Sequence, residues 1–209
     1  MLIEPPVDAL ISLLAGYALG SIPFGLVLTR LGGAGDITSI GSGNIGATNV
    51  LRTGRKGLAA LTLILDAAKG AAAVLLVALL FPDRPSLLPL AAVGAFLGHL
   101  YPLWLRFKGG KGVATLFGIM VALHWPSALI YGAVWIATLV VTRYSSLGGL
   151  MAALSGPIAA AAFGRFDLAI LYLGFALVLF WKHGDNIGRL LGGTEPRIGA
   201  GKGAQPADG

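Results

Sequence analysis

Cysteine is absent from the 209 residues, so neither a disulfide framework nor thiolate chemistry can contribute to this protein. Charge is also scarce: Asp, Glu, Lys and Arg make up 11% of the chain, whereas a typical soluble domain has about 25%. In contrast, 56% of the residues are hydrophobic and the mean hydropathy is +0.83. This composition excludes an ordinary soluble domain and predicts an all-α polytopic membrane protein.

Patterns of soluble nucleotide- and metal-binding proteins are missing as well. Gly41-x-Gly43-x-x-Gly46 has the spacing of a dinucleotide fingerprint, but no strand precedes it and no βαβ unit follows. The stretch Gly109–Gly112 lacks the P-loop spacing and the Ser or Thr after its lysine. No set of His, Asp and Glu has zinc-site spacing, so we expect no metal and no cofactor.

The charges that are present are mostly basic. The net charge is +6, which in a membrane protein favours basic cytoplasmic loops against anionic lipid over binding to nucleic acid. The N-terminus lacks a positive leader and a small-residue cleavage site, so we expect the first apolar run to be retained as a helix.

The apolar runs predict seven transmembrane helices, some of them short or kinked. They lie approximately at residues 9–29, 57–81, 86–105, 113–124, 127–142, 147–163 and 168–181. Pro23 predicts a kink in the first helix, and His124-Trp125-Pro126 predicts the break that separates the fourth helix from the fifth.

The distribution of Lys and Arg predicts the orientation. With seven spans and the N-terminus outside, Arg84 and Arg165 fall outside and Lys69 falls within a helix, while the other predicted loop cations face the cytoplasm. The C-terminus is then cytoplasmic. We expect a single integral membrane domain over residues 1–191 and a flexible cytoplasmic tail over 192–209, which is rich in Gly, Pro, Ala and charge.

Two ionisable residues lie inside the second predicted helix. Asp66 and Lys69 are three residues apart and therefore on one face. Because such groups are costly at membrane depth, they either pair with each other or line a pocket, and the sequence leaves both roles open.

Three polar clusters, at residues 41–52, 106–112 and 182–191, interrupt the apolar runs, and the predicted topology places all three on the cytoplasmic face. Glycine lets backbone N–H groups approach a ligand, short polar side chains add donors, and Arg and Lys suit phosphate. Lys and Arg residues in loops often serve only to set the membrane orientation and to contact lipid headgroups. Neither role requires the glycine patterns of these clusters. The candidate site residues are Gly41, Ser42, Gly43, Asn44, Thr48, Asn49, Arg52, Arg55, Lys56, Lys108, Gly109, Gly110, Lys111, His183 and Asn186.

A Ser–His–Asp triad of Ser42, His183 and Asp185 is a conceivable alternative. However, Ser42 is not in a Gly-x-Ser-x-Gly elbow after a strand, which argues against it.

The motifs resemble a known family, the bacterial membrane acyl-phosphate:glycerol-3-phosphate acyltransferases, over roughly residues 10 to 195. Gly184 and the longer glycine-rich tail are the departures. The matching motifs are Gly20-Ser21-Ile22-Pro23-Phe24-Gly25, Gly41-Ser42-Gly43-Asn44-Ile45-Gly46-Ala47-Thr48-Asn49 with Arg52, Asp66-x-x-Lys69-Gly70, Gly98-His99-x-x-Pro102, Phe107-x-Gly109-Gly110-Lys111-Gly112-Val113 and His183-x-x-Asn186-Ile187-x-Arg189-Leu190.

The resemblance implies transfer of an acyl group from acyl phosphate to the 1-hydroxyl of sn-glycerol 3-phosphate, giving lysophosphatidic acid and inorganic phosphate. It also implies a seven-helix enzyme in the bacterial inner membrane, with its site at the cytoplasmic face and without a metal or an acyl-CoA donor. Carried over by position, the central residues are Ser42, Arg52, Lys111, His183 and Asn186, and the supporting ones are Asn44 and Thr48.

The residue chemistry agrees with that reaction. Arg52 and Lys111, with the glycines beside them, are expected to bind phosphate, while Ser42, His183 and Asn186 orient the hydroxyl or stabilise the oxyanion. Acyl phosphate has a good leaving group, so no covalent nucleophile is needed. As general base, a phosphate oxygen of the donor and His183 are both open.

The expected partners are the two substrates and membrane lipid, with the chain as a monomer and no nucleic acid. The rival function is a small anion or phosphate-ester transporter. It would place its cations near mid-membrane, often in repeated halves, and the sequence has no internal repeat.

Overall fold

The structure of the protein, a computed structural model, describes residues 6–199, and within that range all regular secondary structure is helical. This confirms the predicted all-α class. The α-helices are α1 Pro6–Gly20, α2 Phe24–Leu31, α3 Ala47–Leu51, α4 Lys56–Leu80, α5 Leu88–Leu100, α6 Val113–Thr142, α7 Ser145–Ala162, α8 Phe166–Lys182 and α9 Gly184–Leu191. Short 3₁₀ turns cover Ile37–Ser39, Pro85–Leu87 and Leu103–Leu105.

The chain forms two compact units, the first ending at Ala128 and the second beginning at Leu129. The division falls within α6, just after a break in its helical geometry. His124 has φ −162° and ψ 86°, and Pro126 follows it. Since proline cannot donate to the preceding turn, this break confirms the interruption predicted at His124–Pro126.

Long apolar helices make the protein a multi-pass membrane protein. Within residues 6–199, five helical stretches are long and apolar enough to cross a membrane, or six if α8 and α9, which are bent by 64°, form one span. The total of seven spans, the orientation and the single domain over 1–191 stay predictions.

Helices α1 and α5 of the first unit pack through small residues. Gly16 of α1 lies against the backbone of Ala91, and Gly98 of α5 lies against the carbonyl of Tyr17. Without side chains at these glycines the two backbones approach closely, which is how membrane helices gain packing energy in lipid.

The predicted kink at Pro23 is confirmed by the gap between α1 and α2. There the carbonyl of Ser21 accepts a hydrogen bond from the indole Nε1 of Trp104 at 2.9 Å. Tyr17 donates to the carbonyl of Tyr101 at 2.7 Å. The side chain of Trp104 therefore satisfies a carbonyl that the kink exposes, which makes the break tolerable in a membrane helix. The side chain of Tyr17 satisfies a carbonyl at the end of α5.

The two ionisable residues of α4 form a buried ion pair. Lys69 Nζ lies 2.7 Å from Asp66 Oδ1, and their side chains are 2% and 5% exposed. Lys69 also donates to the carbonyl of Ile22, in the break between α1 and α2, at 2.7 Å. Of the two roles left open by the sequence, the structure shows pairing.

The second unit packs α7 against α8, and Gly148 of α7 lies against Trp135 in the last part of α6. Large apolar side chains remain exposed on this unit, among them Val141, Ile170 and Leu177. In water such a surface would favour association, whereas lipid solvates it at no cost.

Candidate functional site

The first polar cluster is a loop held down by a small apolar core. Ile37, Ile45 and Val50 from the loop pack with Leu26 of α2 and Ala59 of α4. These contacts fix the loop against two membrane helices, and the loop therefore holds its exposed polar side chains in a defined position.

Asp36 shapes the start of this loop. Its carboxylate accepts from the backbone N–H of Thr38 at 2.9 Å and from the Thr38 hydroxyl at 2.7 Å. The hydrogen bond from the backbone N–H, followed by that from the hydroxyl, lowers the pKa of Asp36 below its ordinary value. The fully exposed side chain therefore caps the 3₁₀ turn as a carboxylate.

Asn49 joins the parts of the first cluster. Its Nδ2 donates to the carbonyl of Ile37 at 2.7 Å, and its Oδ1 accepts from the N–H of Ser42 and from Arg52 Nη1, both at 3.3 Å. Asn49 was predicted from the sequence to be a donor of the site, and these three hydrogen bonds use its amide within the loop. Asn49 thus brings Ser42 and Arg52, both exposed, to the same place.

Gly41 is required by space and by backbone angle. Its φ is 55°, in the left-handed region, and a side chain there would collide with Arg52 and Asn49. The N–H of Gly43 donates to the carbonyl of Ile40 at 2.9 Å. Asn44 Oδ1 accepts from Gly46 N–H at 2.9 Å, just before α3 begins. Thr48 of α3 is exposed.

The second cluster folds back on the end of α5. The N–H of Gly109 donates to the carbonyl of Leu100 at 3.1 Å, and that of Gly110 donates to the carbonyl of His99 at 3.0 Å. These N–H groups satisfy carbonyls at a helix end, so they are not aimed at a ligand. The glycines instead allow close packing beside Lys111, and their predicted phosphate contact stays a prediction.

Most of the third cluster is helical, although no helix was predicted there from the sequence. It begins at the bend between α8 and α9, and His183 lies at that bend, buried. Its Nδ1 is 2.8 Å from the carbonyl of Leu179. Because a carbonyl can only accept, Nδ1 carries the proton, and Nε2 is the basic nitrogen of the neutral ring. A triad would need Asp185 in that position; Asp185 is exposed instead.

Glu195 joins the third cluster, although the sequence analysis gave it no role. Its carboxylate accepts from Asn186 Nδ2 and Ser146 Oγ, each at 2.6 Å, and from Arg189 Nε at 2.7 Å. Burial alone raises the pKa of Glu195, but the hydrogen bonds from Ser146, Asn186 and Arg189 together lower it below its ordinary value. Nothing in the local sequence around Glu195 signals these partners.

The tail was predicted to begin at residue 192, and its described part, residues 192–199, is hydrogen-bonded to the rest of the chain. The N–H of Thr194 donates to the carbonyl of Arg189 at 2.8 Å, and the N–H of Ile198 donates to the carbonyl of Arg143 at 2.8 Å. Arg197 lies over the ring of Tyr144, with 5.2 Å to its centroid. Residues 200–209 lie outside the described range.

The structure thus brings Ser42 and Arg52 together, and separately Asn186 and Arg189. Lys111 follows a turn whose Leu105 packs against the same apolar core as the first loop. His183 and Asn186 belong to the second unit. One site shared by all three clusters stays a proposal.

Known sequences that are similar to this chain point to one family. A sequence model described as glycerol-3-phosphate acyltransferase matches residues 10–193. A glycerol-3-phosphate acyltransferase of Rhodopseudomonas palustris (strain BisB5) is 58% identical over 188 residues, which cover 90% of this chain and 95% of that protein. One from Brucella ovis is 57% identical over 189 residues, covering 90% and 92%.

Two crystal structures of PlsY (YgiH), an integral membrane glycerol 3-phosphate acyltransferase, are similar to this chain. The glycerol 3-phosphate form has a TM-score of 0.85 at 36% identity and covers 91% of this chain and 96% of that chain. The lysophosphatidic acid form has a TM-score of 0.82 at 35% identity, with coverage of 91% and 95%.

Proposed function

Because the chain belongs to the glycerol-3-phosphate acyltransferase family, we propose that it moves an acyl group from acyl phosphate to the 1-hydroxyl of sn-glycerol 3-phosphate. The products are lysophosphatidic acid and inorganic phosphate. The family membership agrees with the resemblance that the sequence motifs indicated. The donor, the product and the course of the reaction are part of the proposal.

The observation that carries the proposal is the pairing of Ser42 with Arg52 through Asn49 Oδ1. A guanidinium binds phosphate through a planar fork of donors, and a hydroxyl beside it can orient a carbonyl or a second hydroxyl. Both proposed substrates carry phosphate, so a second cation is needed. Lys111 fills this role, with Gly41, Gly43, Asn44, Thr48, Gly109 and Gly110 shaping the loops.

In the proposed reaction the 1-hydroxyl oxygen attacks the carbonyl carbon of acyl phosphate. The new ester bond forms as the bond between the carbonyl carbon and the phosphate oxygen breaks. The proton of the hydroxyl goes to the departing phosphate, either directly or through Nε2 of His183, and the position of the Nδ1 proton supports the second route. Asn186 and Ser42 stabilise the developing oxyanion.

The proposal needs no covalent intermediate on the protein. Acyl phosphate is a mixed anhydride whose leaving group is already good, so positioning and charge neutralisation suffice. We further propose that the protein acts as a monomer in the bacterial inner membrane, with its three polar clusters facing the cytoplasm, as the distribution of basic residues favours.

The deciding experiment incubates the purified protein in detergent with acyl phosphate and glycerol 3-phosphate and measures lysophosphatidic acid and released phosphate. We expect both products in equal amounts, and no ester when acyl-CoA replaces acyl phosphate. Turnover with acyl-CoA alone would overturn the proposed donor. No turnover with either donor, together with glycerol 3-phosphate uptake into liposomes, would favour the transporter.

A further inference from the structure

His99 supports the loop that carries Lys111. It lies at the end of α5 and is 4% exposed. Its carbonyl accepts from the N–H of Gly110, and its ring lies directly beside the Gly110 backbone. A methyl group added at Gly110 would have three atoms of the His99 imidazole as its nearest neighbours. The loop therefore rests on both the backbone and the ring of this one residue.

Space, and not backbone angle, accounts for the glycine at position 110. Gly112, two residues later, has a φ of 90°, whereas Gly110 is not among the residues with positive φ. Alanine could adopt the Gly110 backbone, but its methyl group would meet the imidazole. The fit between Gly110 and His99 is thus a steric match that substitution can test.

A buried ion pair stands behind the imidazole. His99 Nδ1 is 3.8 Å from Asp66 Oδ1, too long for a hydrogen bond, and both side chains are buried. Asp66 is fixed in turn by Lys69, whose Nζ also binds the carbonyl of Ile22. The ring therefore lies between a fixed carboxylate and the glycine loop.

We propose that His99 is a positioning residue for acyl transfer, which fixes the backbone of Gly109 and Gly110 and thereby the position of Lys111. The inference rests on the proposed function, because Lys111 is the phosphate ligand in that proposal. His99 acts through the loop, and the Asp66–Lys69 pair keeps its ring in place.

The test changes the side-chain volume on each side of the contact between His99 and Gly110, singly and together. In His99→Ala the loop loses its support, and in Gly110→Ala the methyl group displaces the imidazole. Each variant is expected to raise the KM for one of the two phosphate substrates about tenfold, with a smaller change in kcat, as is typical when support behind a ligand is lost. In His99→Ala/Gly110→Ala the methyl group occupies the vacated space. That KM should return to within about threefold of wild type, a coupling that independent sites do not show.

His124→Ala is the matched control. His124 lies in the same unit, at the break in α6, where its Nδ1 is 2.8 Å from Ser127 Oγ, and it comes 13 residues after Lys111 in the chain. We expect its KM values to stay at the wild-type level. Effects of His99→Ala and Gly110→Ala that simply multiply in the double variant, or a KM change of equal size in His124→Ala, would overturn the proposal.

A second readout is independent of turnover. The chain has no cysteine, so a nitroxide on Lys108→Cys, an exposed position in the loop, labels one site. Its spectrum should sharpen in the His99→Ala background and broaden again in the double variant. An unchanged spectrum in His99→Ala overturns the positioning role even if the enzyme is active. An inactive wild type with the expected spectral changes overturns the proposed function and keeps the contact.

Discussion

Glu195 accepts a hydrogen bond from Asn186, with 2.6 Å between its Oε1 and the amide Nδ2. Both residues are buried, with exposed fractions of 8% and 6%. Because an ionised carboxylate can only accept, the contact directs the NH₂ group of Asn186 toward Glu195 and its carbonyl oxygen to the other side. A residue beyond the last helix thus sets the orientation of an amide that we propose to be catalytic.

This contact predicts a pH-dependent contribution of Glu195 to stability. Its folded-state pKa lies below the ordinary 4.5, so its stabilisation is present above that pH and is lost as the pH falls through the folded-state value. Glu195→Gln should lower the free energy of unfolding by about 1.5–3 kcal/mol at neutral pH, the worth of one charge-assisted hydrogen bond. Thermal unfolding of the wild type and the variant in detergent, from pH 7 to pH 3, measures this difference in stability.

The difference between the two proteins should shrink below about pH 4.5. Asp185→Asn is the control, because it neutralises an exposed carboxylate on α9, the helix that carries Asn186, and its unfolding should follow the wild type. A Glu195→Gln deficit that is equally large at pH 3 would show that the charge does not matter.

Arg52→Ala and Lys111→Ala are each expected to lower kcat/KM by about 100-fold or more, because each removes one positive charge that stabilises the transition state. The detergent assay with acyl phosphate and glycerol 3-phosphate measures the loss. Arg165→Ala serves as the control, since Arg165 pairs with Asp167 at 2.8 Å, away from the three clusters in the sequence. Near wild-type rates for Arg52→Ala or Lys111→Ala would refute the role given to that residue.

Ser42→Ala tests the absence of covalent catalysis. If Ser42 only orients a substrate, the wild type incubated with acyl phosphate alone should carry no acyl group, and its intact mass should be unchanged. The variant should then lose roughly 10²- to 10³-fold in kcat, as for one oxyanion donor. An acyl adduct on the wild type that is missing from Ser42→Ala would establish an acyl-enzyme instead.

The Asp66–Lys69 pair predicts strong non-additivity in stability. Either Asp66→Asn or Lys69→Met leaves one buried charge without its partner, at a cost of about 3–5 kcal/mol. The double variant removes both charges and should be more stable than either single variant. Thermal unfolding in detergent gives the comparison, and a double variant that loses the sum of the two single losses would argue against pairing.

Gly118→Ala tests the close approach of α4 and α6. A methyl group at Gly118 would collide with the carbonyl of Ala67, and the helices would have to separate, at a cost of about 1–3 kcal/mol. Gly174→Ala is the matched control on α8, where the added methyl group would have no neighbour within 4 Å apart from the adjacent residues and backbone of its own helix. Its melting temperature should stay the same or rise slightly, because alanine favours a helix. Equal losses of stability in both variants would show that close packing at Gly118 is not the cause.

Several features of the fold follow from short stretches of sequence. The break at Pro23 and the one at His124–Pro126 were predictable because proline lacks an N–H and restricts its neighbours whatever surrounds it. The apolar runs likewise predict membrane helices, since their length alone has to match the bilayer. The helix over the third cluster was missed, because its polar composition resembles that of a loop.

The roles of single polar side chains were less predictable. The sequence placed Asn49 among the donors of the site, but its partners Ile37 and Ser42 are fixed by how the loop folds over its apolar core. In the same way, the glycines at 109 and 110 suggested a phosphate cradle, while their N–H groups satisfy the end of α5.

The sequence by itself determined the membrane class, the helical breaks and the family, because each depends on composition or on residues that are close together in the chain. Only the tertiary structure decided that Lys69 pairs with Asp66 and donates to the carbonyl of Ile22, and that Glu195 accepts from Ser146 and Asn186. A hydrogen bond depends on distance and direction in space. Ser146 and Glu195 are 49 residues apart, so no local pattern records their contact.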